Sequence, residues 1–407
     1  MPVRDRRFIT PLAAIIGAIV MLGAIAIGLS AGPATASNQR HHHRWHRPHD
    51  VDRKVRLNQI QVIGSHNSYH QILDPPELAL RRQLYQPPVL EQALEYTHAP
   101  LPVQFESQKI RQIELDVWLD PAGGKYANPL IRAATNGGPY DPVMTTPGIK
   151  VFHVQDVDYH SSCLTLKICL TQVKQWSDAH PSHVPIAILT ELKDDPLKLD
   201  GFTFVAPDPW TTTPGAMDSL DREIRSVFPS RDLITPDDIR GHRPTLENAV
   251  LTKGWPTLRE SRGKLMFLMD NAGDKRLTYL QGHPSLDDRV LFTNANPGDA
   301  DAAFVERNDA KGSGADIRSL VQKGYVVRTR ADADTAEART NDTSTRDAAL
   351  ASGAQWVSTD YPVPNYAFDF TTTYFAQIPG GTVARCNPIN APRRCDSALL
   401  EAGRHAR

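Results

Sequence analysis

The sequence predicts a single (β/α)₈ barrel, the TIM-barrel class of α/β folds. Three observations predict it. Eight short apolar runs recur along the 407 residues. Most are followed by a segment long enough to cross back and start the next run in parallel. The Gly-rich phosphate turn that marks an open doubly wound sheet is missing after the first run.

The elements follow in chain order. Residues 59–63 carry Ile60, Val62 and Ile63 around Gln61 and read as strand one, with Gly64-Ser65 as its break. Strand two is 112–118 (QIELDVW), strand three 148–153 (GIKVFH) and strand four 185–192 (PIAILTEL). Strands five to eight are 264–270, 290–293, 325–330 and 355–360. Residues 218–228 place Leu220, Ile224, Val227 and Phe228 at helical spacing, and 335–352 is an Ala-rich helix capped at Asp334 or Thr335. The expected organisation is a leader at 1–36, a polar His-rich linker at 37–55, the barrel at 56–375 and a tail at 376–407.

Net charge is −1, and no basic stripe suggests a nucleic-acid partner. No feature points to a protein partner. Arg4, Arg6 and Arg7 precede an apolar run at 12–29 and a small-residue site, Ala34-Thr35-Ala36. These are the parts of a secretion signal cut after Ala36. The run is also long enough for an uncleaved membrane anchor. Either way the barrel is expected outside the cytoplasm, where disulfides persist. The four cysteines fall in two close pairs, Cys163/Cys169 and Cys386/Cys395, for which local pairing and free thiols are the two readings. His41, His42, His43, His46 and His49 around Trp45 suit a flexible linker or a metal tract.

Chemistry gathers at strand ends. Strand one delivers His66 and Asn67, strand two Glu114 and Asp116, strand three His153, and strand four Glu191 and Lys193. Strands five and eight end in Asp270 and Asp360, and strand seven holds Arg328 and Arg330. Side chains alternate with period two, so Glu114 and Asp116 share a face. Two carboxylates inside a barrel need a cation, either a metal or a buried Arg or Lys. Asn67, Glu114, Asp116 and Glu191 offer only oxygen, which suits calcium better than zinc. His66 and His153 are the groups whose protons move near neutrality, and Lys193, Arg328 and Arg330 are candidate anion contacts. The loop at 194–215, with Phe202, Phe204 and Trp210, is expected to wall the pocket, touch a membrane or pack on itself. Asn136-Gly137-Gly138 suits a tight turn or a lid.

GSHNSYH, QIELDVW, VFH and PIAILTEL, in that order, resemble the catalytic barrel of phosphatidylinositol-specific phospholipase C, in its calcium-dependent bacterial branch. The likeness covers most of 56–362. It implies a PLC-like phosphodiesterase barrel, a Ca2+ cofactor and a phospholipid substrate at a membrane surface. It implies that His66 stabilises charge on phosphate, that His153 protonates the leaving alkoxide, and that Asn67, Glu114, Asp116 and Glu191 hold the ion. Glu114 or Glu191 would take the hydroxyl proton. The products would be diacylglycerol and a cyclic inositol phosphate. A glycerophosphodiester phosphodiesterase shares Glu191-Leu192-Lys193 but has Arg-Gly where this chain has Asn67-Ser68. A non-catalytic inositol-phosphate- or lipid-binding barrel is the third reading.

Overall fold

The structure is a computed structural model that describes residues 48–84, 91–198 and 202–401. The expected leader, and His41, His42, His43 and His46, lie outside the described residues. Strands β1 (Ile60–Ser65), β2 (Gln112–Trp118), β4 (Ile186–Lys193), β5 (Leu265–Met269), β6 (Leu291–Thr293), β7 (Phe304–Glu306), β8 (Val326–Arg330) and β9 (Trp356–Thr359) run parallel in the order β6-β5-β4-β2-β1-β9-β8-β7. A parallel bridge from Asn294 to Phe304 joins the two ends, so the eight strands form a nearly closed barrel. Runs such as LMFLM are apolar at every position because helices cover one face and the barrel core the other, and β5 is buried throughout.

Two strands lie off this path: β3 (Lys150–Val151) pairs antiparallel with β2, and β10 (Ala384–Cys386) pairs antiparallel with β1. The expected third strand is therefore not a stave. Only Lys150 and Val151 pair, and His153 sits in the loop beyond them. The missing stave is Phe304–Glu306, too short and too little alternating to stand out. Nor does Gly64 break strand one, because β1 runs through Ser65. A Cβ at Gly64 would meet Gln112 Oε1 at 1.8 Å, so glycine is there to let the Gln112 side chain pass. The chain turns at Asn67 instead, with φ of +43°.

Helix Leu166–Ala179 starts on Thr165, whose hydroxyl accepts from the Ile168 N–H, and buries Leu166, Leu170, Val173 and Trp176 toward the strands. The 335–352 segment is two helices, Ala336–Thr340 and Ser344–Ser352, because Asn341 is left-handed at φ +55°. The described chain starts in helix Pro48–Lys54, whose Val51 joins the core inside the expected linker. Disulfides join Cys163 to Cys169 and Cys386 to Cys395, the local pairing. Among the described residues, no helix is long and apolar enough to cross a membrane.

Candidate active site

Strand ends on the C-terminal side of a parallel barrel converge, which brings residues distant in sequence into contact. Register does the first part. Asp116 on β2 lies directly opposite Glu191 on β4, and β1 meets β2 at Gly64–Gln112. Facing residues on paired strands point the same way. Glu114, Asp116 and Glu191 each offer a carboxylate oxygen within 4.8 Å of the others.

Asp116 is the least satisfied member. Neither oxygen accepts a well-formed hydrogen bond from the described residues: the buried Tyr69 hydroxyl lies against the carboxylate, and the Lys193 ammonium is 3.6 Å from Oδ2. Burial, then the charge of Glu191, push its carboxyl well above the usual range. After β1 the buried Asn67 donates through Nδ2 to the Tyr96 hydroxyl at 2.8 Å, while its Oδ1 has no described partner. A buried acceptor left unmade costs about 1–3 kcal/mol, so these orphan oxygens call for a cation. The donor set is all oxygen, hard and anionic, and it fits calcium.

Part of the balancing charge is already built in. The buried Arg328 donates to Glu114 Oε2 at 2.5 Å, to Asn308 Oδ1 at 2.6 Å, to Ser358 Oγ at 2.9 Å and to Glu306. It is committed to these acceptors, so the expected buried ion pair is present alongside the group of three carboxylates. Arg330, partly exposed, is 3.4 Å from both His66 Nδ1 and Asp360 Oδ2. Lys193 donates to Glu191 Oε1 at 3.0 Å. Burial, then the Glu306 carboxylate beside it, push the Asp270 carboxyl well above the usual range, with Glu191 adding to the push.

The two imidazoles are each fixed by a carboxylate. His66 Nδ1 is 2.9 Å from Asp360 Oδ1, which aims Nε2 toward Glu114, 3.8 Å away. His153 Nδ1 is 2.7 Å from Asp158 Oδ2. Burial, then the Arg330 guanidinium, push His66 down to about 3, and burial lowers His153 against the pull of Asp158. Asp360 was legible as a strand end. Asp158 was not: it follows a tight turn at Asp156, φ +69°, and nothing local distinguishes it from Asp156.

The loop after β4 is tied to the barrel near its base. Trp210 is fully buried and donates from Nε1 to the Lys193 carbonyl, and the Val205 N–H bonds Asp156 Oδ2. Phe202 is exposed, 6.0 Å from Phe204.

Residues 55–388 match the family model for Ca2+-dependent phosphoinositide phospholipase C. A calcium-dependent phosphoinositol-specific phospholipase C from a Gram-negative Pseudomonas species has a similar fold, with a TM-score of 0.51 and 16% identity over 83% of this chain and 96% of that one. A Ca2+-dependent phosphatidylinositol-specific phospholipase C from Streptomyces antibioticus aligns at a TM-score of 0.46 and 17% identity, covering 76% of this chain and 95% of that one. A search of curated protein sequences found no match.

Proposed function

The chain belongs to the family of Ca2+-dependent phosphoinositide phospholipases C, and we propose that it cleaves phosphatidylinositol to diacylglycerol and a cyclic inositol phosphate by acid–base catalysis between two histidines. The family carries phosphodiesterase activity on phosphoinositides and the use of calcium. The observation that carries the finer reading is the pair of carboxylate-clipped imidazoles, His66 on Asp360 and His153 on Asp158, beside a group of three carboxylates.

Asn67, Glu114, Asp116 and Glu191 hold the ion in this reading. Calcium bound there supplies positive charge that acidifies the inositol 2-hydroxyl and offsets the phosphate. Glu114 or Glu191, each with an oxygen that accepts no hydrogen bond from the described residues, takes the hydroxyl proton. The freed oxygen attacks phosphorus, and the bond from phosphorus to the diacylglycerol oxygen breaks. Asp158 holds the His153 Nδ1–H, and in the doubly protonated ring, which Asp158 favours, Nε2–H protonates that oxygen. Asp360 does the same for His66. The negative phosphodiester favours the doubly protonated ring, whose Nε2–H then donates to a phosphate oxygen. Lys193 and Arg330 border the opening and suit anion contact. Arg328 positions Glu114.

A membrane surface is the expected location of the substrate, and exposed Phe202 on the loop after β4 supports an interfacial role. Export through the 1–36 leader belongs to the same reading. Phosphorus NMR on phosphatidylinositol, with calcium and with excess chelator, tests it. A cyclic phosphate signal that disappears with chelator is expected, and activity that survives complete calcium removal defeats the ligand assignment. Glycerophosphoinositol, offered alongside, separates the runner-up activity, since only the lipase releases diacylglycerol.

A further inference from the structure

Each of the two proposed catalytic imidazoles shares its carboxylate with a second, fully buried imidazole. His153 and His70 reach the same oxygen, Asp158 Oδ2, at 2.7 and 2.9 Å. His66 and His98 both face Asp360 Oδ1, at 2.9 and 3.8 Å. His66 and His153 keep 18% and 19% of their side-chain surface open, whereas His70 and His98 keep none. The two buried residues are joined through the main chain: the His98 backbone N–H donates to the His70 carbonyl at 2.9 Å, and the Tyr96 ring stacks on the His70 ring at 4.3 Å.

The His153 branch has complete geometry. Arg81 occupies Asp158 Oδ1 and is itself held by Glu91 at 3.0 and 3.1 Å. Oδ2 faces two ring nitrogens. A metal among His70, His153 and Asp158 would need lone pairs on both nitrogens, and it would sit beside the Arg81 guanidinium. Two N–H donors on one anionic oxygen fit the contacts without any ion. Against the pull of burial, His70 and Arg81 hold the Asp158 carboxyl well below the usual range. With Nε2 donating, His70 Nδ1 is left as a buried acceptor without a described partner. A group kept at that cost beside an active site calls for a functional account.

We propose that His70 is a positioning residue of the reaction: it saturates Asp158 Oδ2, and so holds the doubly protonated His153 ring in the orientation that presents Nε2–H to the leaving oxygen. The inference rests on His153 being the general acid. In the step itself the His153 Nε2–H bond breaks and its proton goes to the diacylglycerol oxygen. The Nδ1–H stays on His153, and no proton passes to Asp158 or His70. Without the second donor, Asp158 Oδ2 has a lone-pair direction open to water and can turn about its Arg81 contact. The acid then spends less of its time aimed at the substrate.

The test uses the full calcium-loaded chain and two substrates, phosphatidylinositol and an inositol phosphodiester whose leaving group is p-nitrophenol. The aryl oxide departs without protonation, so only acid catalysis distinguishes the two. His153→Ala is expected to lose at least roughly a hundredfold in kcat on the lipid and under about threefold on the aryl ester. Equal losses on both overturn the acid assignment, and this inference with it. Given the expected His153→Ala result, His70→Phe should lower kcat on the lipid about tenfold with KM unchanged, and leave the aryl ester within about twofold. His70→Gln, which can place an N–H near the position of Nε2, should recover most of that loss. An unselective loss in His70→Phe, or none, refutes the positioning role while leaving His153 as the acid. If His70→Phe does not fold, nitrogen-15 NMR of the wild-type imidazoles decides. Nε2–H on His70 with Nδ1–H on His153 supports the inference, and Nδ1–H on His70 overturns it.

Discussion

Replacing Asp116 by asparagine separates two roles a buried carboxylate can have. If it is half of a structural ion pair with Lys193, losing its charge strands the ammonium and destabilises the fold. If it is a metal ligand, its charge is a burden until the ion arrives. The geometry favours the second. Asp116 is fully buried, the donor against it is the neutral Tyr69 hydroxyl without a well-formed hydrogen bond, and Lys193, at 3.6 Å from it, already serves Glu191 at 3.0 Å. Asp116→Asn should therefore melt no lower than wild type in chelator. Calcium reverses the order. At a free concentration a hundred times its Kd, an ion that binds only the folded chain adds about 2.7 kcal/mol. For a folded unit of roughly 350 residues, with an unfolding entropy of about 2 cal/mol/K per residue, that is a rise of about 3–4 °C. If the neutral side chain weakens affinity about a hundredfold, the same calcium adds only about 0.4 kcal/mol, a shift under about 1 °C. Scanning calorimetry in chelator and in calcium, with titration calorimetry for Kd, measures both quantities. A variant that melts several degrees low in chelator and keeps the full calcium shift would refute the reasoning and restore the ion-pair reading.

Other predictions concern groups around the site and away from it. Arg328 neutralises Glu114 and Glu306 inside the barrel, so Arg328→Leu should cost about 3–5 kcal/mol in chemical denaturation, whereas Arg330→Leu should mainly raise KM, with stability changed by less than about 1 kcal/mol. His183 is buried, its Nδ1–H donating to the Val184 carbonyl at 2.6 Å and its Nε2 accepting from Ser177 at 2.7 Å; burial pushes it down to about 4. A folded-state value below the unfolded one removes stability as pH falls from about 6.5 to 4 and leaves it unchanged above 6.5, so the wild-type chain should lose roughly 3 kcal/mol over that window that His183→Gln does not lose. Gly64→Ala would displace the Gln112 side chain, whose Oε1 accepts from Ser358 at 2.8 Å and whose Nε2 donates to the Ile113 carbonyl at 2.9 Å. Urea unfolding should show a loss of about 1–3 kcal/mol.

The parts of this site that were legible in the sequence are those governed by the period of a strand. Parity alone puts Glu114 and Asp116 on one face, and the register of β2 on β4 then brings Asp116 opposite Glu191. The apolar runs of the long staves are equally plain, because burial on both faces leaves no room for polar residues. What parity cannot supply is the partner chosen across the barrel. His66 and Asp360 are 294 residues apart, and Arg328 and Glu114 are 214 apart, so each contact exists only once the strand order is known. The mistaken third stave has the same cause. GIKVFH has the composition of a buried strand, but only two of its residues pair, antiparallel to the end of β2, and the run serves instead to carry His153 into a loop over the barrel. That placement sets what can hold the ring. An imidazole at the tip of a stave can draw on the carboxylate of a neighbouring stave, as His66 draws on Asp360. His153 lies beyond the sheet and must find its carboxylate in its own loop, so Asp158 needs anchors from outside that loop. Arg81 and His70 are those anchors, and neither lies within a stave.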